Sequence, residues 1–147
     1  MRRDKKNKHK LQGQFLPLPY VMIDSLAWQS LSSNSIKVYI RLMRKCNGHN
    51  DDNLSLTYNE MKAALAPATL RKCLTELVEK GFIDLVRQGG LQKQCNIFGK
   101  SDRWKDFGKE SFKNETLEKW NFGGFAEVWN KRKGRQNSEV STENEAL

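Results

Sequence analysis

A helical repeat of apolar residues is the clearest pattern in the chain, and it lies between Pro67 and Lys80. Pro67 fits the first turn of a helix, where its missing N–H leaves no hydrogen bond unmade. Gly81 fits the position after the last turn, where the backbone often becomes left-handed. The pattern therefore predicts a helix that buries one face. The positions on that face are Leu70, Cys73, Leu74, Leu77 and Val78.

Two further helices are predicted before this one. Asp24 can cap a short helix to about Ser30 that buries Leu26, Ala27 and Trp28, and the preceding "FLPLPYVMI" is predicted to be extended because of its prolines. Ser33 or Asn34 can cap a longer helix to about Cys46. Its apolar positions are Ile36, Val38, Tyr39, Ile40, Leu42 and Met43.

A capping box marks the start of another short helix, from Tyr58 to Leu65. Thr57 and Glu60 have the required spacing, in which the carboxylate reaches back to the backbone of the capping residue. The segment "LSLT" before it is predicted to be a short strand. After Gly81, "FIDLVRQ" and "QCNIF" flank a glycine turn and predict a β-hairpin.

The order of these elements predicts an α+β fold, specifically a winged helix-turn-helix that is mostly helical with a small β-hairpin wing. The run "LSLTYNEMKAALAPATLRKCLTELVEKGFIDLVRQGG" resembles the winged-helix domains of bacterial DNA-binding proteins. The wider stretch from "AWQSLSSNSIKVYIRLM" to "IFGKSDRWKDFG" resembles small replication-initiator-type proteins of plasmids and phages. The resemblance covers roughly residues 15–110. It implies binding to double-stranded DNA, in replication initiation or in transcription regulation of a mobile element.

The outer side of the helix from Pro67 is the predicted DNA-reading surface, because an α-helix fits the major groove of B-DNA. Arg71 suits a bidentate contact to guanine, and Lys72 suits a guanine or a phosphate. The alternative is a solvated face in which Lys72 pairs with Glu76. The predicted contacts on this helix are Ala68, Thr69, Arg71, Lys72 and Thr75.

Two neighbouring segments are predicted to contact the DNA backbone or the minor groove. The hairpin turn supplies Arg87, Gln88 and Lys93, and a plain exposed turn is the alternative. Thr57 and Tyr58 open the preceding helix, where an anion is favoured.

The positive net charge favours a polyanionic partner, but much of the excess lies in the N-terminal segment and not in the predicted folded part. The chain of 147 residues carries a formal charge of +9, and six Lys or Arg with one Asp lie in residues 1–14. We expect residues 1–14 to form a disordered basic arm that adds affinity without sequence information, unless it is merely solvated. The arm residues assigned to DNA are Arg2, Arg3, Lys5 and Lys6.

The resemblance to winged-helix proteins does not extend to the C-terminal region. Residues 111–134 form an aromatic and basic extension, and residues 135–147 are predicted to be a disordered tail. Trp120 and Trp129 permit stacking on single-stranded nucleic acid. A short helix that folds back on the domain, or a self-association patch, is the preferred interpretation.

Other function classes have little support in the sequence. No nucleophile motif, P-loop or acidic metal cluster is present, so we expect a protein that is not an enzyme and needs no cofactor, metal or small-molecule substrate. No apolar run has the length of a membrane span, and no secretion signal is recognisable, which predicts a cytoplasmic protein. The expected partner is double-stranded DNA, with a homodimer or a replication protein as a further partner. The rival hypothesis is a winged-helix protein-docking module that touches DNA only through its basic tails.

Overall fold

The computed structural model describes residues 13–89 and 94–117 of the chain, and within them it contains five α-helices and one two-stranded antiparallel sheet. The α+β class is therefore confirmed. The elements are α1 (Tyr20–Ile23), α2 (Leu26–Gln29), α3 (Ser33–Met43), α4 (Tyr58–Met61), α5 (Pro67–Glu79), β1 (Ile83–Arg87), β2 (Ile97–Lys100) and a 3-10 turn (Arg103–Asp106).

Helix α5 has the predicted start, stripe and end. Pro67 is its first residue, and the five apolar positions of the predicted stripe are all buried. Gly81 follows with a φ of 82°, which is the left-handed region that glycine adopts without strain. A Cβ at this position would lie 2.7 Å from the Cβ of Arg103, so the site also requires the absence of a side chain.

Helix α3 packs directly against α5, and together they form the centre of the core. Val38 and Leu42 of α3 are fully buried, while Ile40 is partly exposed, contrary to the predicted stripe. Phe82, directly after α5, contacts three aromatic rings from different parts of the chain at centroid distances of 5.6 to 6.0 Å. These rings are Trp28, Tyr39 and Trp104.

The hairpin follows α5 as predicted. Strands β1 and β2 pair antiparallel, with Leu85 opposite Phe98 and a register shift between Leu85 and Arg87. The second strand lies later than the predicted "QCNIF", because only its last two residues join the sheet. The predicted "LSLT" strand is reduced to one bridge, in which Leu54 and Phe98 exchange backbone hydrogen bonds of 2.9 and 2.7 Å.

The N-terminal part of the chain departs from the sequence prediction. Tyr20–Ile23 is helical rather than extended, and Asp24 ends that helix instead of capping the next one. Ser25 is the cap of α2, and its hydroxyl accepts the N–H of Trp28. Leu26 is 72% exposed, so only Ala27 and Trp28 of that helix are buried.

The boundaries of α3 and α4 also differ from the predicted ones. Helix α3 begins after Ser32, one residue before the predicted caps, and ends at Met43 rather than near Cys46. Helix α4 ends at Met61 rather than Leu65. The apolar pattern identifies which residues face the core, but several adjacent serines compete for the cap and the pattern does not choose among them.

Arg103 ties the segment after β2 to the end of α5 and to β1. Its Nε donates to Asp84 at 2.7 Å, and its terminal nitrogens donate to the carbonyls of Val78 and Lys113 at 2.8 Å each. Leu117 is buried at the end of this segment and belongs to the core cluster. The "SDRW" stretch thus has a structural role in this chain.

Candidate nucleic-acid interface

The outer face of α5 borders an open groove of about 470 Å³. Pro67 starts this helix, and burial of its apolar stripe in the core turns the polar positions outward. Leu117 of the C-terminal segment forms one edge of the groove. The α5 residues that line it are Ala68, Arg71, Lys72, Thr75, Glu76 and Glu79.

The structure brings together four of the five predicted α5 contacts. Ala68, Arg71 and Lys72 are exposed along the groove, and Thr75 is half-buried beside them. The Thr75 hydroxyl donates to the carbonyl of Arg71 at 2.9 Å, which leaves its oxygen lone pairs and methyl group for a ligand. Thr69 is half-buried and does not line the groove.

Glu76 does not form the ion pair with Lys72 that its spacing in the sequence suggested. Its carboxylate accepts the N–H of Ser32 at 3.1 Å and the hydroxyl of Ser32 at 2.8 Å, and it also accepts the hydroxyl of Ser35. Its cationic neighbour is Lys80, at 3.5 Å, so the suggested pairing with Lys72 is not the one formed. Lys72 is therefore exposed in the groove, and the Glu76 carboxylate is hydrogen-bonded to Ser32 and Ser35 at the start of α3 instead.

Hydrogen bonding also accounts for the charge state of Glu76. Burial alone would raise its pKa, but the hydrogen bonds from Ser35 and Ser32 and the charge of Lys80 outweigh burial. The pKa of Glu76 is therefore held below its ordinary value. The side chain therefore stays ionised at neutral pH, and Lys80 at 3.5 Å is the cation that partly balances its charge at the edge of the groove.

The start of α4 carries the predicted capping box. The N–H and the hydroxyl of Thr57 both donate to the carboxylate of Glu60, at 2.8 and 2.9 Å. Lys45 pairs with the same carboxylate at 2.5 Å and is the main reason that the pKa of Glu60 falls to about 2. Thr57 and Tyr58 are both exposed, as a contact to a ligand requires.

The hairpin residues are only partly described. Arg87 ends β1 and is exposed, and Gln88 follows it half-buried. The Asn96 side chain accepts the N–H of Gly89 at 2.7 Å, which closes the base of the turn. Lys93 lies outside the described residues, as do the arm residues Arg2, Arg3, Lys5 and Lys6, so their assignments stay predictions.

Another face of the molecule is acidic and unsuited to phosphate. A second open cleft lies beside the sheet, and its carboxylates outnumber its one cation, Lys100. Within residues 13–89 and 94–117, no set of three or more His, Cys, Asp or Glu has an arrangement that could hold a metal ion. The carboxylates of this cleft are Asp51, Asp52, Asp84 and Asp102.

A cationic surface on α3 has no counterpart among the sequence predictions. Lys37, Arg41 and Arg44 are exposed at i, i+4 and i+7, opposite the buried Val38 and Leu42. The signal was present in the sequence as a basic stripe with helical spacing. The apolar stripe of the same helix is sufficient to predict the helix, and exposed Lys and Arg residues are common on solvated helix faces.

Comparison with known proteins adds no relative to this picture. No protein-family model, curated protein or solved structure matches the chain. In the described part of the chain, none of the helices combines the length and the apolar character that crossing a bilayer requires. The resemblance to replication-initiator-type proteins accordingly stays a prediction.

Proposed function

We propose that the protein is a winged helix-turn-helix that binds double-stranded DNA with selectivity for sequence, and that α5 is its recognition helix. The observation that carries this proposal is the composition of the α5 groove. Arg71 and Lys72 are exposed there beside the small Ala68, while the carboxylate of Glu76 is held by Ser32 and Ser35.

The arrangement around α5 suits docking of the helix in a major groove. Helix α5 is preceded by the short α4 and followed at once by the β1–β2 hairpin, which is the element order of a winged helix. Recognition helices read bases with their N-terminal half, and Ala68, Arg71 and Lys72 occupy that half. The cations on α5 therefore lie where base edges would be reached, and Glu79 lies at the far end.

Arg71 and Lys72 have different tasks in this proposal. The planar guanidinium of Arg71 offers two parallel N–H donors to the O6 and N7 atoms of guanine, and Lys72 contributes a point charge to guanine or phosphate. Arg87 at the end of β1 contacts the backbone beside the helix. The biological setting that we propose is replication initiation or transcription regulation in a plasmid or phage.

The double variant R71A/K72A tests the proposal directly. Duplex fragments from a randomised pool are selected with the wild-type protein, and affinity is then measured by fluorescence anisotropy at about 150 mM salt. The variant is expected to lose the preference for the selected fragment over random duplex. A variant that keeps the wild-type preference would show that α5 is not the recognition helix.

A matched control removes the same charge elsewhere. Lys105 and Lys109 lie in and after the 3-10 turn and each pairs with an aspartate three residues earlier, at 3.0 and 3.1 Å. K105A/K109A therefore changes the net charge as R71A/K72A does. It is expected to retain the preference for the selected fragment, which separates base reading from general electrostatic attraction.

A protein-docking module is the second candidate function, and one observation favours it. Tyr20, Val21 and Leu26 on α1 and α2 are 83%, 76% and 72% exposed, and large apolar side chains in such a group often mark an interaction surface. Under this candidate, R71A/K72A leaves duplex binding unchanged. Sedimentation of the wild-type protein and a Y20S/L26S variant would then show whether this surface joins two copies of the chain.

A further inference from the structure

The cationic stripe on α3 ends in a cleft of about 240 Å³ between α3 and the start of α4. Arg41, Arg44 and Lys45 contribute three positive charges to this cleft, and Leu56 and Glu60 complete its lining. A cleft with three cations and one carboxylate has an excess of positive charge. An anion is therefore the class of ligand that this cleft suits.

The single carboxylate is already occupied by one of the three cations. Lys45 pairs with Glu60 at 2.5 Å, and its amino group also donates to the carbonyl of Ser55 at 2.5 Å. Glu60 in turn accepts the N–H of Thr57, which fixes the start of α4. Lys45 and Glu60 thus form one wall of the cleft and neutralise each other.

Arg41 and Arg44 remain as the cations available to a ligand. Arg41 is exposed on the outer face of α3 and Arg44 is exposed directly after its last residue, and in the described part of the chain neither has an acidic partner. Lys37 extends the same stripe by one turn toward the start of α3. Arginine forks match the geometry of phosphate oxygens, with two parallel hydrogen bonds from one side chain.

The position of the cleft connects it with the proposed DNA surface. Glu60 belongs to α4, and α4 opens with Thr57 and Tyr58, which are exposed beside the same capping box. A short connection of residues 62–66 leads from α4 to α5. A nucleic-acid backbone that passes the start of α4 would therefore meet the arginines of α3.

We propose that Arg41 and Arg44 bind phosphodiester groups of the nucleic-acid backbone, at a second contact surface formed by α3 and the start of α4. This inference rests on the proposed function, and it adds a contact that positions the duplex and does not read bases. Phosphate contacts of this kind fix the register of a protein on DNA and make affinity depend on salt.

The test compares R41A/R44A with wild-type protein on a labelled duplex of random sequence, by fluorescence anisotropy from about 50 to 200 mM salt. Removing one cation that neutralises a phosphate reduces the slope of log affinity against log salt by about 0.9. R41A/R44A removes two such cations. The ratio of the wild-type affinity to that of R41A/R44A should therefore fall about ten-fold as the salt rises four-fold across this range. R41K/R44K, which keeps the charge but not the fork, is expected to recover the salt slope and only part of the affinity.

K105A/K109A is again the control, because it removes two charges outside the cleft. The inference is overturned if R41A/R44A has the affinity and the salt slope of that control, or if wild-type protein does not bind the random duplex. A failure of the proposed function is recognised separately. It would appear as an unchanged sequence preference in R71A/K72A, while R41A/R44A still lowers the slope.

Discussion

The carboxylate of Glu76, in the last turn of α5, accepts the backbone N–H of Ser32 at 3.1 Å and so caps a helix whose capping residue lies 44 residues earlier. Capping groups usually come from the first residues of the same helix. Here the Ser32 hydroxyl donates to Glu76, and Ser35 donates to it as well. The interaction joins the start of α3 to α5, while the Glu76 carboxylate stays ionised at the edge of the α5 groove with Lys80 as its cationic neighbour.

Loss of the Glu76 carboxylate should destabilise the fold. E76A leaves the start of α3 without its charged acceptor, and we expect the free energy of unfolding to fall by about 2 kcal/mol, from the typical cost of losing a cap and charged hydrogen bonds. E79A is the matched control, because Glu79 is exposed one turn further along. It should change stability by less than about 0.5 kcal/mol in urea denaturation. Equal effects of the two changes would contradict the capping role.

Acid should destabilise the protein through Glu60 and Glu76. The pKa of each is below its ordinary value of 4.5 in the folded protein, and that of Glu60 is about 2. Unfolding therefore takes up protons, so this contribution to stability is fully present above about pH 5 and is lost as the pH falls toward about 2. Urea midpoints measured across this range should decline.

The variant E76Q measures how much of this pH dependence comes from Glu76. It cannot titrate, so its stability should fall less steeply between about pH 5 and pH 3 than that of wild-type protein. E79Q is expected to keep the wild-type slope. If E76Q and wild-type protein lose stability in parallel, the hydrogen bonds from Ser32 and Ser35 do not depress the pKa of Glu76.

Local patterns in the sequence were sufficient for α5 and for the α4 capping box. Both depend on residues three to eight positions apart, so the information lies within one helix. The glycine turn and its flanking strand formers also predict the hairpin, but β2 begins three residues later than "QCNIF". A glycine turn indicates that two strands pair, but it does not determine which residues lie opposite each other. Gly99 within β2 gave no apolar signal to extend the strand.

Contacts between distant parts of the chain were not predictable from the same patterns. The Glu76–Ser32 bond spans 44 residues, and Arg103 reaches back to Asp84 and Val78. Within α5, the spacing of Lys72 and Glu76 favoured an ordinary helical ion pair, and only the packing of α3 shows why it does not form. The prolines before Tyr20 suggested an extended segment, whereas Pro19 is the residue before a helix.

Gly81 should tolerate no side chain, for two reasons that a control can separate. Its φ of 82° costs a non-glycine residue about 1 kcal/mol or more, and a Cβ would lie 2.7 Å from the backbone nitrogen of Trp104. Gly48 has the same φ, but a Cβ there meets nothing within 4 Å. We expect G48A to cost about 1 kcal/mol and G81A about 3 kcal/mol in chemical denaturation. Similar costs would show that the approach of Trp104 yields easily.

Substitution of Arg71 alone should change which sequences are bound. R71A removes the bidentate donor and is expected to weaken binding to the selected site by about 1–3 kcal/mol, and to relax the preference at one base pair. R71K should recover part of the affinity but little of the preference, because a single ammonium lacks the fork. Binding to a panel of single-base variants of the site measures this. A uniform loss across the panel would assign Arg71 to the backbone instead.

Deletion of residues 1–14, unlike R71A, should weaken binding without changing which sequences are preferred. The segment carries six Lys or Arg, and cations that neutralise phosphates add affinity for every sequence alike. The shortened protein should therefore bind selected and random duplexes more weakly by the same factor, and its affinity should depend less steeply on salt. Anisotropy at several salt concentrations gives both quantities. A loss confined to the selected duplex would instead mean that the arm reads sequence, in which case Arg2 and Arg3 would be the first residues to substitute.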